Sequence, residues 1–477
     1  MYKVLLISKY LRRKLAPLFA AVAVTICTAM VIIVISVMGG FLQTMRDAAR
    51  RGTGDITIEA GWTGFPHYAE LAQTLEQLPE VHAATPVIVG AGMVKLGDHV
   101  QVAPVVLGVD PADLNKVLPF QSTLYWGEEN MSLPQVRQRA MQWQLPWDDP
   151  ADADGSQASE ANGNGKTTPP RGIMPGIEVY PKRRDKGGQY ASWQSLIGAR
   201  MNLTVVPVTQ AGGMLEPETR ELVVVNEIKS GLYDVDKSHI FVPFDLLQEM
   251  MGMGADEVID PETGEPVGGR HEPRASRILV RAAPGVDLET AHEAVRKATA
   301  RFAANHPDMT GLYTYTWEDQ HRDLLNAVRN EKGLITVLFT IISVVAVVMV
   351  ATIFYMIVLE KTRDIGVLRA IGASRMGIAN IFLGYGLVIG LLGAILGTAL
   401  GVTFVYNLNE LQDLLDAWFG WRMWSAETYY FDEIPEHVDY AEAALIAFGA
   451  VVSSLAGALI PAALAAQLDP VESLRYE

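Results

Sequence analysis

The stretch Glu360-Lys361-Thr362-Arg363-Asp364-Ile365-Gly366-Val367-Leu368-Arg369-Ala370-Ile371-Gly372-Ala373-Ser374-Arg375 decides how the rest of the chain is read. It is wedged between two apolar runs, residues 334–359 and 378–405, each long enough to cross a bilayer, for which about 20 apolar residues suffice. A short loop rich in Lys and Arg between two such runs marks the cytosolic side of a membrane. The segment is also half apolar. Ile365, Leu368 and Ile371 recur at helical spacing, which predicts a short amphipathic helix with one apolar side. Such a helix lies on a membrane surface or docks in a groove of a partner protein.

Two more runs, residues 18–38 and 441–464, complete a set of four. The first follows Lys9, Arg12, Arg13 and Lys14. It exceeds the length of a signal-peptide core, about 7–15 residues, and no small-residue cleavage site follows it, so a retained anchor is expected. The loop between the third and fourth runs holds eight acidic residues, from Glu410 to Asp439, against Arg422 alone. That scarcity of Lys and Arg places it outside, with both termini in the cytoplasm. Arg46, Arg50 and Arg51 stand on the exterior side of the first run, but the N-terminal cluster is larger and long domains cross regardless of charge. No span carries a deep Asp, Glu, Lys, Arg or His, which argues against an ion or proton pathway and hence against a channel or secondary transporter.

The average composition hides these two phases. Of 477 residues 49% are hydrophobic and 19% charged, with a net charge of −16. No basic stripe exists to neutralise phosphates, so nucleic acid is excluded as a partner. Cys27 is the single cysteine, so no disulfide framework forms.

The third run carries Gly386 and Gly390, then Gly393, Gly397 and Gly401, each set at four-residue spacing. Small residues so spaced let helix backbones approach closely, within a bundle or at a dimer interface. The alternative is the ordinary glycine frequency of membrane helices.

Between the first two runs lie about 290 residues, enough for one large or two smaller domains. Alternating or β-branched runs predict strands at 55–59, 87–94, 102–109, 202–208, 221–225, 240–243 and 277–280. Helical patterns cover 68–78, 245–251 and 287–304, giving a mixed α+β fold. Residues 148–171 are acidic and rich in Gly, Asn, Ser and Pro, and are expected to form a mobile insertion. The run Gly163-Asn164-Gly165-Lys166-Thr167 mimics the end of a phosphate-binding loop. Glu160 stands where that motif needs its first glycine, so no ATP hydrolysis is expected. Nor is there an HExxH, a Cys/His cluster at metal spacing or a Gly-x-Ser-x-Gly elbow, and no catalytic residue, metal or cofactor is assigned. Polar residues 41–51 and 318–330 extend two of the runs, as rigid stalks or as plain linkers.

These features together resemble the MacB/FtsX/LolC superfamily of ABC-transporter permeases, and within it the LolC/LolE lipoprotein-releasing branch. The 360–374 segment is similar to the superfamily's cytoplasmic signature. Supporting resemblances are Val34-Ile35-Ser36-Val37-Met38-Gly39-Gly40-Phe41, Gly231-Leu232-Tyr233-Asp234-Val235-Asp236-Lys237-Ser238, Tyr430-Phe431-Asp432-Glu433-Ile434-Pro435 and Asp469-Pro470-Val471-Glu472-Ser473-Leu474-Arg475-Tyr476-Glu477. The resemblance thins between about Pro119 and Pro175, and no carrier-capturing hairpin is found. It implies a membrane α-helical protein of four transmembrane helices, with a large α+β extracytoplasmic domain between helices 1 and 2. The expected organisation is a basic segment 1–17, spans 18–40, 333–359, 378–405 and 441–464, an exterior domain 41–332, a coupling segment 360–377, an outer loop 406–440 and a tail 465–477.

What the resemblance implies further is a non-catalytic permease of the inner membrane that relays hydrolysis by a separate cytosolic ABC ATPase outward. Glu360, Lys361, Thr362, Arg363, Asp364, Ile365, Leu368, Arg369, Ile371, Gly372 and Arg375 would form its ATPase-coupling site. Ile365, Leu368 and Ile371 would pack into the ATPase, and Glu360, Arg363, Arg369 and Arg375 would orient it. Other implied partners are a second permease copy or paralogue, lipoprotein or another lipophilic cargo, a periplasmic carrier and membrane lipids. The charge-free first two spans suit an acyl chain. An efflux permease and a transmembrane regulator of an exterior hydrolase are the alternatives.

Overall fold

The computed structural model describes residues 15–147 (Trp62 and Ser132 excepted), 172–182, 190–207, 213, 215–255, 257–259, 266–270, 272–309, 311–420, 434 and 436–468. The expected insertion 148–171 with its 163–167 run, the basic residues up to Lys14, all of 430–435 but Ile434, and the tail from Asp469 lie outside the described residues. The main helices in chain order are α1 (Leu15–Thr53), α2 (Tyr68–Glu76), α3 (Leu288–Asn305), α4 (Arg322–Glu360), α5 (Thr362–Ala370), α6 (Arg375–Tyr406), α7 (Leu408–Phe419) and α8 (Tyr440–Gln467). The chain divides into a helical unit (residues 1–44, 323–424 and 433–477) and an α+β unit built on residues 45–322.

In the helical unit, four helices among the described residues are long and apolar enough to cross a membrane: Leu18–Thr44, Leu325–Glu360, Arg375–Tyr406 and Tyr440–Gln467. Their ends overrun the apolar runs because backbone hydrogen bonding carries a helix on through polar residues once it is nucleated. One buried cluster joins Val24 of α1, Phe354 and Val358 of α4, Ile365 of α5, Phe382 and Ile389 of α6, and Ala458 and Ala462 of α8. Many of the other large apolar side chains of α4 are exposed, Leu334, Val345 and Val348 among them, as a lipid-facing helix requires.

The α+β unit contains strands β1 (Ile56–Glu59), β2 (Val81–Leu96), β3 (His99–Val109), β4 (Gly172–Pro175), β5 (Arg200–Val205), β6 (Glu218–Val224), β7 (His239–Pro243), β8 (Glu257–Ile259), β9 (Pro266–Arg270), β10 (Arg277–Ala282) and β11 (Tyr313–Thr316). Its main sheet runs β11-β1-β10-β2-β3-β7-β4-β6-β5. The first four strands are antiparallel neighbours, and the links β1-α2-β2 and β10-α3-β11 make two interleaved β-α-β halves. Ile56, Ile58, Ile278 and Val280 point into a core shared with Leu71, Leu75, Ala291 and Val295 of the two helices. Beyond Gly90, β2 bends through a register shift between Ala91 and Met93, and residues 92–95 pair with 202–205 of β5. That second pairing closes β2-β3-β7-β4-β6-β5 into a ring around Ile88, Val106, Leu203, Val224 and Val242. Gly92 permits the closure, since a Cβ there would meet the Thr204 carbonyl oxygen at 2.6 Å.

All seven predicted strands and all three predicted helices fall on observed elements. Strands β4, β8, β9 and β11 are additional. They are three to five residues long.

Candidate functional site

The signature segment folds as a short helix that follows α4 directly and is capped at its end. Helix α4 ends at Glu360, and the Lys361 backbone N–H still donates to the Ile357 and Val358 carbonyls, both at 3.1 Å. Lys361 leaves helical geometry, α5 starts at Thr362, and the Lys361 ammonium pairs with Asp364 at 2.9 Å. At the far end the Ala373 N–H donates to the Leu368 carbonyl and the Gly372 N–H to that of Arg369, both at 3.0 Å. Those two bonds form a Schellman cap, which needs a left-handed residue after the helix. Gly372 supplies it with a φ of 104°. Ser374 then caps α6 by accepting from the Gly377 N–H at 3.1 Å. The run Gly372-Ala373-Ser374 is thus a stop signal followed at once by a start signal.

The expected single apolar side of α5 does not form. Ile365 is 4% exposed and belongs to the buried cluster with Phe354, Val358, Ile378 and Phe382. Ile371, in contrast, is 80% exposed. The reason is helical drift: each step of three residues falls about 60° short of a full turn, so residues six apart sit about 120° apart around the axis. The outward apolar set is Val367, Ile371 and Met376, beside exposed Arg363, Asp364 and Arg375. Leu368 is half-buried. Arg369 also differs from the expected rim charge. Its guanidinium donates to the Leu468 carbonyl at the end of α8, where helix carbonyls lack intrahelical partners. The segment is therefore anchored to α4 and α6 by the chain and to α8 by Arg369. Four basic residues (Lys361, Arg363, Arg369, Arg375) against two acidic ones (Glu360, Asp364) leave it positive.

The glycines of α6 divide between two neighbours. A Cβ on Gly386 would lie 2.7 Å from Ala458 Cβ, and one on Gly390 2.9 Å from Ser454 Cβ, both on α8. The Ser454 hydroxyl donates to the Gly386 carbonyl at 2.9 Å across the same contact. Gly393, Gly397 and Gly401 face α1: the same test meets Val24 Cγ1 at 2.6 Å, the Thr25 carbonyl oxygen at 2.7 Å and the Ala29 carbonyl oxygen at 3.1 Å. One helix thus carries two glycine seams, turned to different partners within the chain. Between α1, α4 and α8 lies an apolar cleft of about 210 Å³, lined by Val24, Cys27, Val31, Val347, Val350 and Ile446 among others. Apolar lining of this kind suits a hydrocarbon ligand.

Sequence reading missed α7, which follows α6 directly. Leu414, Trp418 and Phe419 on it are exposed, and its Leu-Leu and Trp-Phe pairs at helical spacing were the available signal.

Comparison with known proteins places these two units. Residues 336–470 match the family described as FtsX-like permease C-terminal, and residues 18–131 match the MacB-like periplasmic core domain. The chain is similar to the lipoprotein-releasing system transmembrane protein LolC of Neisseria meningitidis, at 27% identity over 59% of this chain and 62% of that one. It is similar to the LolE protein of the same description from Haemophilus influenzae, at 26% identity over 36% of this chain and 40% of that one. It is also similar to the macrolide export ATP-binding/permease protein MacB of Bdellovibrio bacteriovorus, at 29% identity over 32% and 21% of the two chains. The matches thus span less than two-thirds of these relatives' length. Among solved structures, the periplasmic region of MacB from Actinobacillus actinomycetemcomitans aligns with 60% of this chain and 98% of its own, at 12% identity and a TM-score of 0.31.

Proposed function

We propose that this chain, which matches the FtsX-like permease C-terminal family over residues 336–470 and the MacB-like periplasmic core domain over residues 18–131, is the membrane subunit of an ABC transporter that drives a lipophilic cargo, lipoprotein above all, out of the outer leaflet. In this reading four spans cross the inner membrane with both termini cytosolic, and the α+β domain lies outside. A separate ATPase docks on α5 through Val367 and Ile371, with Arg363 and Arg375 setting its orientation.

The observation that carries this reading is the anchoring of α5. Ile365 buries it in the helical core and Arg369 ties it to the end of α8, while Val367 and Ile371 stay outward. A push on such a segment moves α4, α6 and α8 together. The glycine seams pass the displacement from α6 to α1, because helices in contact at backbone distance shift as bodies rather than deform. Cargo passes along the membrane face instead of through a polar channel, consistent with spans free of deep charges. The apolar cleft between α1, α4 and α8 and the printed names of the LolC and LolE relatives support a lipid-bearing cargo.

The test is mass spectrometry of the intact complex, purified gently from its native membrane. A co-purifying ATPase with acylated protein is the expected result. The ATPase with a hydrolase and no acylated protein would favour the regulatory alternative, and the ATPase with a soluble cargo the efflux one. Absence of any ATPase would contradict the proposal.

A further inference from the structure

His67, Glu70 and His306 lie far apart in sequence, yet they present ligand atoms that all fall within 4.8 Å of one another. His67 and Glu70 flank the start of α2, and His306 follows the last residue of α3. The two imidazole rings stand 4.7 Å apart, and His306 stacks on Phe302 at 4.2 Å. His67 holds a φ of 55°, a left-handed conformation that non-glycine residues enter at a cost and that recurs at functional positions.

The ring nitrogens of this cluster are turned toward acceptor oxygens, an arrangement that suits a cation among them. His306 Nδ1 is 3.0 Å from the Phe302 carbonyl oxygen, which can only accept, so Nδ1 carries the hydrogen and Nε2 presents its lone pair. That lone pair faces Glu70 Oε2 at 3.9 Å. The separation is too long for a hydrogen bond, but one metal ion about 2.0–2.2 Å from each atom spans it. His67 repeats the pattern: Nδ1 is 3.1 Å from Glu272 Oε2 and Nε2 is 3.0 Å from Asp308 Oδ2. In either neutral tautomer one of these nitrogens turns a lone pair toward a carboxylate. A metal on one nitrogen and a carboxylate accepting from the other is the usual arrangement of a ligating histidine. Three carboxylates around two imidazoles also give the patch a negative charge.

We propose that His67, Glu70 and His306 bind a divalent transition-metal ion of the zinc class, with Glu272 and Asp308 orienting His67. Two imidazoles and a carboxylate select zinc-like ions over magnesium or calcium, which require oxygen ligands. Glu70 is 64% exposed, so solvent completes the coordination and the ion exchanges with the medium. The ion would clamp the start of α2 to the end of α3, the two helices that cover one face of the sheet.

The test uses the full-length protein in detergent, stripped with a chelator and titrated with Zn²⁺ by equilibrium dialysis. One ion per chain is expected. Binding should be lost in the His67→Asn, His306→Gln double variant, kept in His82→Asn, and weakened about 10–100-fold in Asp308→Asn. Asparagine at position 67 tolerates the left-handed backbone, which separates ligand loss from misfolding. A second readout needs no variant: Zn²⁺ should shield His67 and His306, but not His82, from acylation by diethylpyrocarbonate. Absence of stoichiometric uptake, uptake unchanged in the double variant, or equal acylation with and without Zn²⁺ would each overturn the site.

Discussion

At the scale of single residues, glycine is used here for two unrelated reasons. Gly372 is required by its backbone angle, since a side chain in that left-handed cap costs about 1–3 kcal/mol. Gly397 is required by space, because an added Cβ would lie 2.7 Å from both the Thr25 carbonyl oxygen and Thr28 Cβ. Gly449 on α8 has no atom within 4 Å of the same position. Gly397→Ala is therefore expected to destabilise the bundle by about 1–3 kcal/mol, as overpacked sites do, while Gly449→Ala is neutral or mildly stabilising. Thermal unfolding of both variants in detergent checks the contrast, and equal midpoints would show that the seam is loose. The four-residue spacing made a packing role for these glycines readable from sequence. Their division between α1 and α8 was not, because spacing gives a face and not its neighbour. Ile365 shows the same limit, since a three-residue repeat over two turns reads as one side although the third residue has drifted toward solvent.

At the scale of elements, a buried ion pair ties together separate segments of the α+β unit. Lys182 and Glu227 have side chains 2% and 0% exposed and contact one another directly. Glu227 Oε2 also accepts from the Trp126 indole N–H at 2.6 Å and from the Leu196 backbone N–H at 3.0 Å. Burial pushes the Lys182 ammonium below the usual lysine range, against the pull of Glu227. Removing the cation strands a carboxylate that cannot reach water. Lys182→Met is expected to cost about 3–5 kcal/mol, and adding Glu227→Gln should recover part of it. Chemical denaturation of both single variants and of the double variant decides this, and additive losses would mean that the pair is not coupled. The sign of the pH effect follows from the depressed pKa. The folded state binds fewer protons than the unfolded one between the lowered pKa and the ordinary lysine value, so this group's contribution falls as pH drops through that window. None of this pairing was legible in sequence, because Lys182, Glu227, Trp126 and Leu196 come from separate segments. Strand β4 was missed for a related reason. Gly172-Ile173-Met174-Pro175 becomes a strand only because β6 and β7 pair with it.

At the scale of the whole molecule, two solvents wrote the sequence. The bilayer demands about 20 apolar residues per crossing, so the helical unit announces itself by composition alone. The α+β unit obeys water, and its strands were readable where alternating or β-branched residues mark them, in short β1 and β7 as in the longer strands. The trio His67, Glu70 and His306 was invisible, since two helices distant in sequence meet only after the β-α-β halves interleave. The proposed docking site lies where the charged segment joins α4 to α6. Residues 360–375 hold that place by two caps, one buried isoleucine and one arginine, and present Val367 and Ile371 outward.

The most direct test of that account is the stoichiometry of ATPase co-purified with Ile371→Asp, beside Ile371→Leu as a conservative control. Ile371 is 80% exposed, so the aspartate should leave the bundle's thermal midpoint unchanged. Buried in a docking groove, the same charge should reduce bound ATPase by about tenfold or more, while the leucine variant retains it. Full ATPase occupancy in Ile371→Asp would contradict the assignment of this segment as the docking site.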